Sequence, residues 1–181
     1  RRPPTLQTIT DFTEAKSPEF LLGPFLLMHE NNMLYGPGGG GKSNLALYWL
    51  ILLELRDIDN KFGWSLHDRE FGILYLDWER SFTTHAWRMR QLLNGLEIAA
   101  YGPETPPFHY QRLHAPLYAE IRNIQSLITQ SQAELVIIDS AGMAAGGDMN
   151  KTEPAMQFFG GLGALKTPGG ENITSLILTH V

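Results

Sequence analysis

Short apolar runs alternate along this chain with longer stretches of helical periodicity, the rhythm of a parallel sheet covered by helices on both faces. After a polar, proline-containing lead-in over residues 1–20, the pattern predicts a strand at Asn31–Tyr35 and a helix at Ser43–Leu55. A second strand, Gly72–Leu76, leads into a helix over Ser81–Asn94, where Phe82, Ala86, Met89 and Leu93 share one face and Gly95 supplies a stop. The proline-rich segment Tyr101–Pro107 reads as loop, followed by a short third strand near His109–Leu113. Leu117, Ile121, Ile124 and Ile128 fall at helical spacing and predict a helix over Leu117–Gln130. The β-branched run Leu135–Ile138 fits a fully buried central strand. Ser140–Pro154 reads as a long loop of small residues, then a weak helix containing Gly160, Gly161 and Gly163 runs to Leu165. The last strand is expected at Ile173–Thr179. The outcome is a three-layer α/β fold, with residues 21–181 as a single domain.

At 181 residues and 43% hydrophobic content, the chain has material for one sizeable core. A formal net charge of −5 argues against coating duplex nucleic acid through a broad basic face, although a small basic loop on a single strand remains compatible. The chain has no cysteine, which excludes structural disulfides and cysteine-ligated zinc. Its longest apolar stretch, Leu45–Leu53, is far shorter than the roughly 20 residues a membrane-spanning helix needs. The start lacks the apolar core of a secretory signal, so the expectation is a soluble, cytoplasmic protein without membrane association. The first residue is Arg rather than Met, so the chain reads as a fragment or trimmed piece.

One segment changes the picture. Gly36, Pro37, Gly38, Gly39, Gly40, Gly41, Lys42 and Ser43 match the G-x-x-x-x-G-K-[ST] phosphate-binding loop in full. Glycines let consecutive backbone N–H groups curl around phosphate oxygens, and Lys42 adds a mobile positive charge. Ser43 offers a hydroxyl to Mg²⁺, and the helix that continues through Asn44 directs its positive N-terminal end at the same phosphates. The strand before and the helix after supply the required context, so residues 36–44 are predicted to bind a nucleoside triphosphate with Mg²⁺.

Other candidates stand at the carboxyl ends of the predicted strands, where open α/β sheets gather their ligands. Asp139 follows four apolar residues and is placed to reach the Mg²⁺ shell, usually through water; an Asp there also forms turns. Asp77 and Glu79 share a side of an extended chain, so both carboxylates are expected to face one site. Glu79 there would orient and partly deprotonate an attacking water, whereas the plainer account is an acidic group favoured at a helix start. His180 ends the last strand, within reach of a γ-phosphate, although a strand-end His is also a common structural residue.

Taken together, these residues resemble the RecA-like ATPases, and within them the RepA family of hexameric plasmid replicative helicases, from about residue 12 to 181. The resemblance makes Glu79 in Leu76-Asp77-Trp78-Glu79 the counterpart of the catalytic base. It makes Asp139 the counterpart of the magnesium-binding Asp and His180 that of the γ-phosphate sensor. It implies a strand order of 3-2-4-5-1, counted along the chain, a hexameric homo-oligomer, and single-stranded DNA as partner in replication. The family's trans-acting arginine finger and second DNA-contacting loop lie beyond the equivalent of residue 181, with the C-terminal part of the core.

The segment after Asp139, with Gly146, Gly147 and Lys151, sits where relatives have a channel loop for DNA, but it carries a single base and reads more readily as a mobile solvated loop. Arg80, Arg88, Arg90 and Arg112 are candidates for phosphate contacts, which a solvated helix face explains for most of them. Trp64, Trp78 and Trp87 are candidates for stacking on bases, with burial in the core as the commoner fate. The glycines at 160, 161 and 163 form no complete dinucleotide fingerprint. The leading expectation is an ATP-hydrolysing helicase or translocase, with Lys42, Glu79 and His180 as catalytic residues and Ser43 and Asp139 on the metal. A nucleotide-gated DNA-binding switch and a small-molecule phosphotransferase remain as alternatives.

Overall fold

The expected alternation is present in the computed structural model, which describes residues 17–56, 60, 62–98 and 109–180. Its elements in chain order are β1 (Phe20–Gly23), β2 (Leu26–Leu27), β3 (Asn31–Gly36), α1 (Lys42–Glu54), β4 (Ser65–Leu66), β5 (Gly72–Asp77), α2 (Phe82–Gly95), β6 (His109–Arg112), α3 (Leu117–Ser131), β7 (Ala133–Asp139), α4 (Ala141–Ala145), α5 (Thr152–Ala164) and β8 (Thr174–His180). The proline-rich stretch at 101–107 and most of the lead-in lie outside the described residues.

The central sheet has five strands in the order β3-β8-β7-β5-β6, every neighbouring pair parallel. Counted along the chain and from the other edge, this is the 3-2-4-5-1 order that the RecA resemblance implies. Because side chains alternate across a strand, β5, β7 and β8 each feed both faces. Ile73, Tyr75, Leu135, Ile137, Leu176 and Leu178 pack with α1 and α2, while Leu74, Leu76, Val136, Ile138 and Ile177 pack with α3, α4 and α5. The result is three layers, with the central strands β5, β7 and β8 buried on both sides and the edge strands β3 and β6 partly exposed.

Two elements depart from the expected pattern. A small antiparallel sheet, β2-β1-β4, buries Leu21, Leu22 and Leu26 in the α1 face of the core. Its strands are too short to carry an alternation signal, and Gly23 lies close against β4: a Cβ there would sit 2.3 Å from Ser65 Oγ, so that hydroxyl would have to turn away. The second departure is the expected loop Ser140–Pro154, which holds α4 and the start of α5. Ala141, Ala144 and Ala145 are buried, and a Cβ on Gly146 would meet Pro116 Cγ at 2.5 Å, so the small residues serve close packing. Lys151, just before α5, is exposed.

The weakly predicted helix α5 is a full 13 residues despite its glycines. It buries Phe158 and Leu162, and Gly161 lets it approach α3: an added Cβ would sit 2.6 Å from Leu117 Cδ2. Tertiary packing here outweighs poor helix propensity. Among the described residues, no helix is long and apolar enough to cross a membrane.

Candidate nucleotide site

Parallel register brings the chemistry together. Gly36 at the end of β3 pairs with His180 at the end of β8, and Asp139 ending β7 pairs with Asp77 ending β5. All four positions therefore lie on the carboxyl edge of the sheet. The glycine loop leaves β3 and enters α1 through Gly41, whose φ of 84° is a left-handed conformation that a side chain would strain. Gly39, Gly40, Gly41, Lys42, Ser43 and Asn44 line a pocket together with Glu79, Arg80, Arg88, Asp139 and His180. Gly36, Pro37 and Gly38, also expected to bind phosphate, do not line it.

Lys42 is 8% exposed, and its ammonium donates to the carbonyls of Gly36 at 2.9 Å and Pro37 at 3.0 Å. Its Nζ also lies 3.2 Å from Nδ1 of His180. An ammonium only donates, so Nδ1 accepts and the ring proton of this tautomer sits on Nε2. That Nε2 is 3.2 Å from Glu79 Oε1, which also accepts from the Ser140 hydroxyl. A continuous line thus runs from Lys42 through His180 to Glu79. Both hydrogen bonds to Glu79 fall on Oε1, leaving Oε2 with no hydrogen bond among the described residues.

Asp139 is 3% exposed, and its Oδ2 accepts from the Tyr75 hydroxyl at 2.7 Å. Burial and the neighbouring Asp139 charge push the Tyr75 phenol far above its ordinary value, so it acts as a standing donor. Ser43 and Asp139 share the pocket and offer a hydroxyl and a carboxylate, the hard oxygen donors that Mg²⁺ takes along with phosphate oxygens and water. Among the described residues, no cluster of three or more His, Cys, Asp or Glu side chains could hold a metal without such help.

The expectation that Asp77 and Glu79 face one site is corrected. The chain bends after β5, so Asp77 turns inward and is fully buried, while Glu79 alone reaches the pocket. Trp78 between them is 5% exposed and donates its indole N–H to the Ala115 carbonyl at 2.8 Å, so it is core. Trp64 joins an aromatic cluster with Phe25, Tyr48, Trp49 and Phe62, and Trp87 is exposed on α2.

Of the four arginines named as candidates for phosphate contacts, Arg80 and Arg88 line the pocket. Arg88 Nη1 is buried with no hydrogen-bond partner among the described residues, an orphaned donor suited to an anionic oxygen. The available signal was helical spacing: Arg88 lies four residues after Thr84 and three after the buried His85, on the inward side of α2. The larger cavity of about 520 Å³, lined by Glu54, Arg56, Glu70 and Glu134 among others, opens near the amino ends of β5 and β7, away from this chemistry.

A family model described as an AAA domain matches residues 1–181. No curated protein matches the chain.

Proposed function

The chain belongs to the AAA domain family, and from that premise we propose that it is a Mg²⁺-dependent ATP hydrolase of the RecA and RepA type, forming a hexameric motor on single-stranded DNA. The observation that carries the hydrolytic part is the line from Lys42 through His180 to Glu79 inside the phosphate-loop pocket. The RepA likeness supports the DNA and ring parts, and the net charge of −5 restricts any DNA contact to a local patch.

In this reading the amides of the glycine loop and the Lys42 ammonium bind the phosphates, with the free Arg88 nitrogen adding a charged donor. Ser43 and Asp139 would hold Mg²⁺, which supplies neutralisation of charge on the phosphate oxygens. Glu79 Oε2 takes a proton from water as the water oxygen bonds to the γ-phosphorus, and the bond to the β–γ bridging oxygen breaks with ADP leaving. His180 and Ser140 hold Oε1 meanwhile, which fixes the direction of the base. When Lys42 turns to a phosphate oxygen, His180 loses a donor at Nδ1. What Lys42 holds is thereby coupled to how Glu79 is held, and this is the physical content of γ-phosphate sensing here.

The test is ATP turnover of the full-length protein with and without single-stranded DNA, with oligomeric state measured by light scattering. Stimulation by DNA together with a closed ring is the expected result, and a DNA-indifferent monomer would remove the motor. Glu79→Gln should lower turnover by about 10²–10⁴-fold while nucleotide binding persists. Turnover close to the unsubstituted rate would instead favour a nucleotide-gated switch.

A further inference from the structure

Asp77 is a fully buried carboxylate at the end of β5, and it accepts four hydrogen bonds. Its Oδ1 receives the backbone N–H of Glu79 at 2.8 Å and that of Arg80 at 2.9 Å. Its Oδ2 receives the Tyr110 hydroxyl at 2.7 Å and lies 3.1 Å from His85 Nε2. One oxygen thus closes the turn that carries Glu79 out of the sheet, and the other anchors that turn to β6 and α2. Burying an ionised carboxylate costs several kcal/mol unless it is fully bonded. Burial pushes this carboxyl up, but the bonds from His85, Arg80, Tyr110 and Glu79 outweigh it and hold the group well below the usual carboxylate range.

The anchor also reaches the metal-side residue. Tyr75 packs its ring 4.8 Å from His85 and 6.2 Å from Tyr110, and its hydroxyl holds Asp139. A single buried group of rings therefore fixes the Asp77 clamp and Asp139 against the same strand. A turn left to itself would let Glu79 rotate, because its side chain is 28% exposed and, among the described residues, only Ser140 and His180 tether its carboxylate.

We propose that Asp77 is a positioning residue for hydrolysis: its carboxylate, held by His85 and Tyr110, locks the turn that aims Glu79 at the attacking water. This rests on the reading of Glu79 as the base, and the experiment keeps the two apart.

Steady-state ATP turnover and the dissociation constant of a fluorescent ATP analogue are measured for the full-length protein and for its Glu79→Gln, Asp77→Ala and doubly substituted forms. Asp77→Ala is expected to lower kcat by about 10–100-fold, the effect of a misplaced catalytic group, with the dissociation constant changed less than about twofold. The double substitution should turn over no slower than Glu79→Gln alone, because Asp77 acts through Glu79. A kcat for folded Asp77→Ala equal to that of the unsubstituted protein, or losses that multiply in the double form, would overturn the proposal. Normal turnover in Glu79→Gln would overturn the base reading first, and the positioning role with it. If Asp77→Ala does not melt cooperatively, Tyr110→Phe replaces it. Loss of one bond to Oδ2 should then lower kcat several-fold at constant affinity, and an unchanged kcat overturns the proposal.

Discussion

A guanidinium nitrogen buried without a hydrogen-bond partner forfeits hydration with no bond in return, and among the described residues Arg88 Nη1 is such a nitrogen. Its position beside Lys42, Ser43 and Asp139 lets a phosphate oxygen recover that loss. A hydrogen bond between charged groups is worth about 1.5–3 kcal/mol. Arg88→Ala should therefore weaken triphosphate binding by about 10–100-fold in a fluorescence titration, whereas Arg90→Ala, two positions on and exposed, should leave it unchanged. Equal effects from both would mean that Arg88 acts through bulk charge alone. The contrast also shows what a residue-level reading of sequence lacks. The glycine loop announces itself because its chemistry is contiguous, whereas Arg88 and Asp77 take their roles from the direction in which a helix face or a bent strand end points. The expectation for Asp77 assumed that extended backbone continued to Glu79. The bend after Asp77, held by its own side chain accepting the two following N–H groups, reversed it.

At the scale of elements, the sequence pattern located every strand of the central sheet to within two residues at each end, most plainly β5, β7 and β8, where a buried parallel strand is a continuous apolar run. It gave no sign of β1, β2 and β4, whose ladders span at most four residues, and it mistook Ser140–Ala145 for loop because small residues carry little hydrophobic contrast. The same weakness affected α5, where three glycines suggested a poor helix. They are not equivalent. Gly161 faces α3 with no room for a methyl group, whereas nothing lies within 4 Å of an added Cβ at Gly160 or Gly163. Gly160→Ala should stabilise the fold by about 0.5–1 kcal/mol through helix propensity alone. Gly161→Ala should destabilise it by about 1–3 kcal/mol, since the same gain is overridden by a forced shift of α3 against α5. Denaturant midpoints for the two variants should move in opposite directions, and parallel shifts would show that α3 and α5 are not packed this closely.

At the scale of the molecule, the two edges of the sheet divide the work. The carboxyl edge gathers Lys42, Glu79, Asp139 and His180, while the cavity near the amino edge leaves Glu54, at the end of α1, half-buried beside Glu70 and Arg56. Burial raises the Glu54 carboxyl to about 7, with Arg56 opposing and Glu70 adding to the rise. The folded chain therefore holds this proton more tightly than the unfolded chain, where the ordinary value is 4.5. Stability linked to Glu54 is complete below 4.5 and is lost as pH climbs through about 7. Glu54→Gln keeps the group neutral at every pH. At pH 5 it should melt with the unsubstituted protein, and at pH 8 it should be more stable by about 1 kcal/mol, a value discounted for solvent screening. For a chain of this size that is a rise in Tm of about 2–4 °C. The carboxyl edge is untouched by the substitution, so ATP affinity at 25 °C should stay constant while Tm at pH 8 rises. A Tm shift of the same size at pH 5 and pH 8 would show that Glu54 does not carry this proton, and a loss of ATP affinity would show that the two edges are coupled.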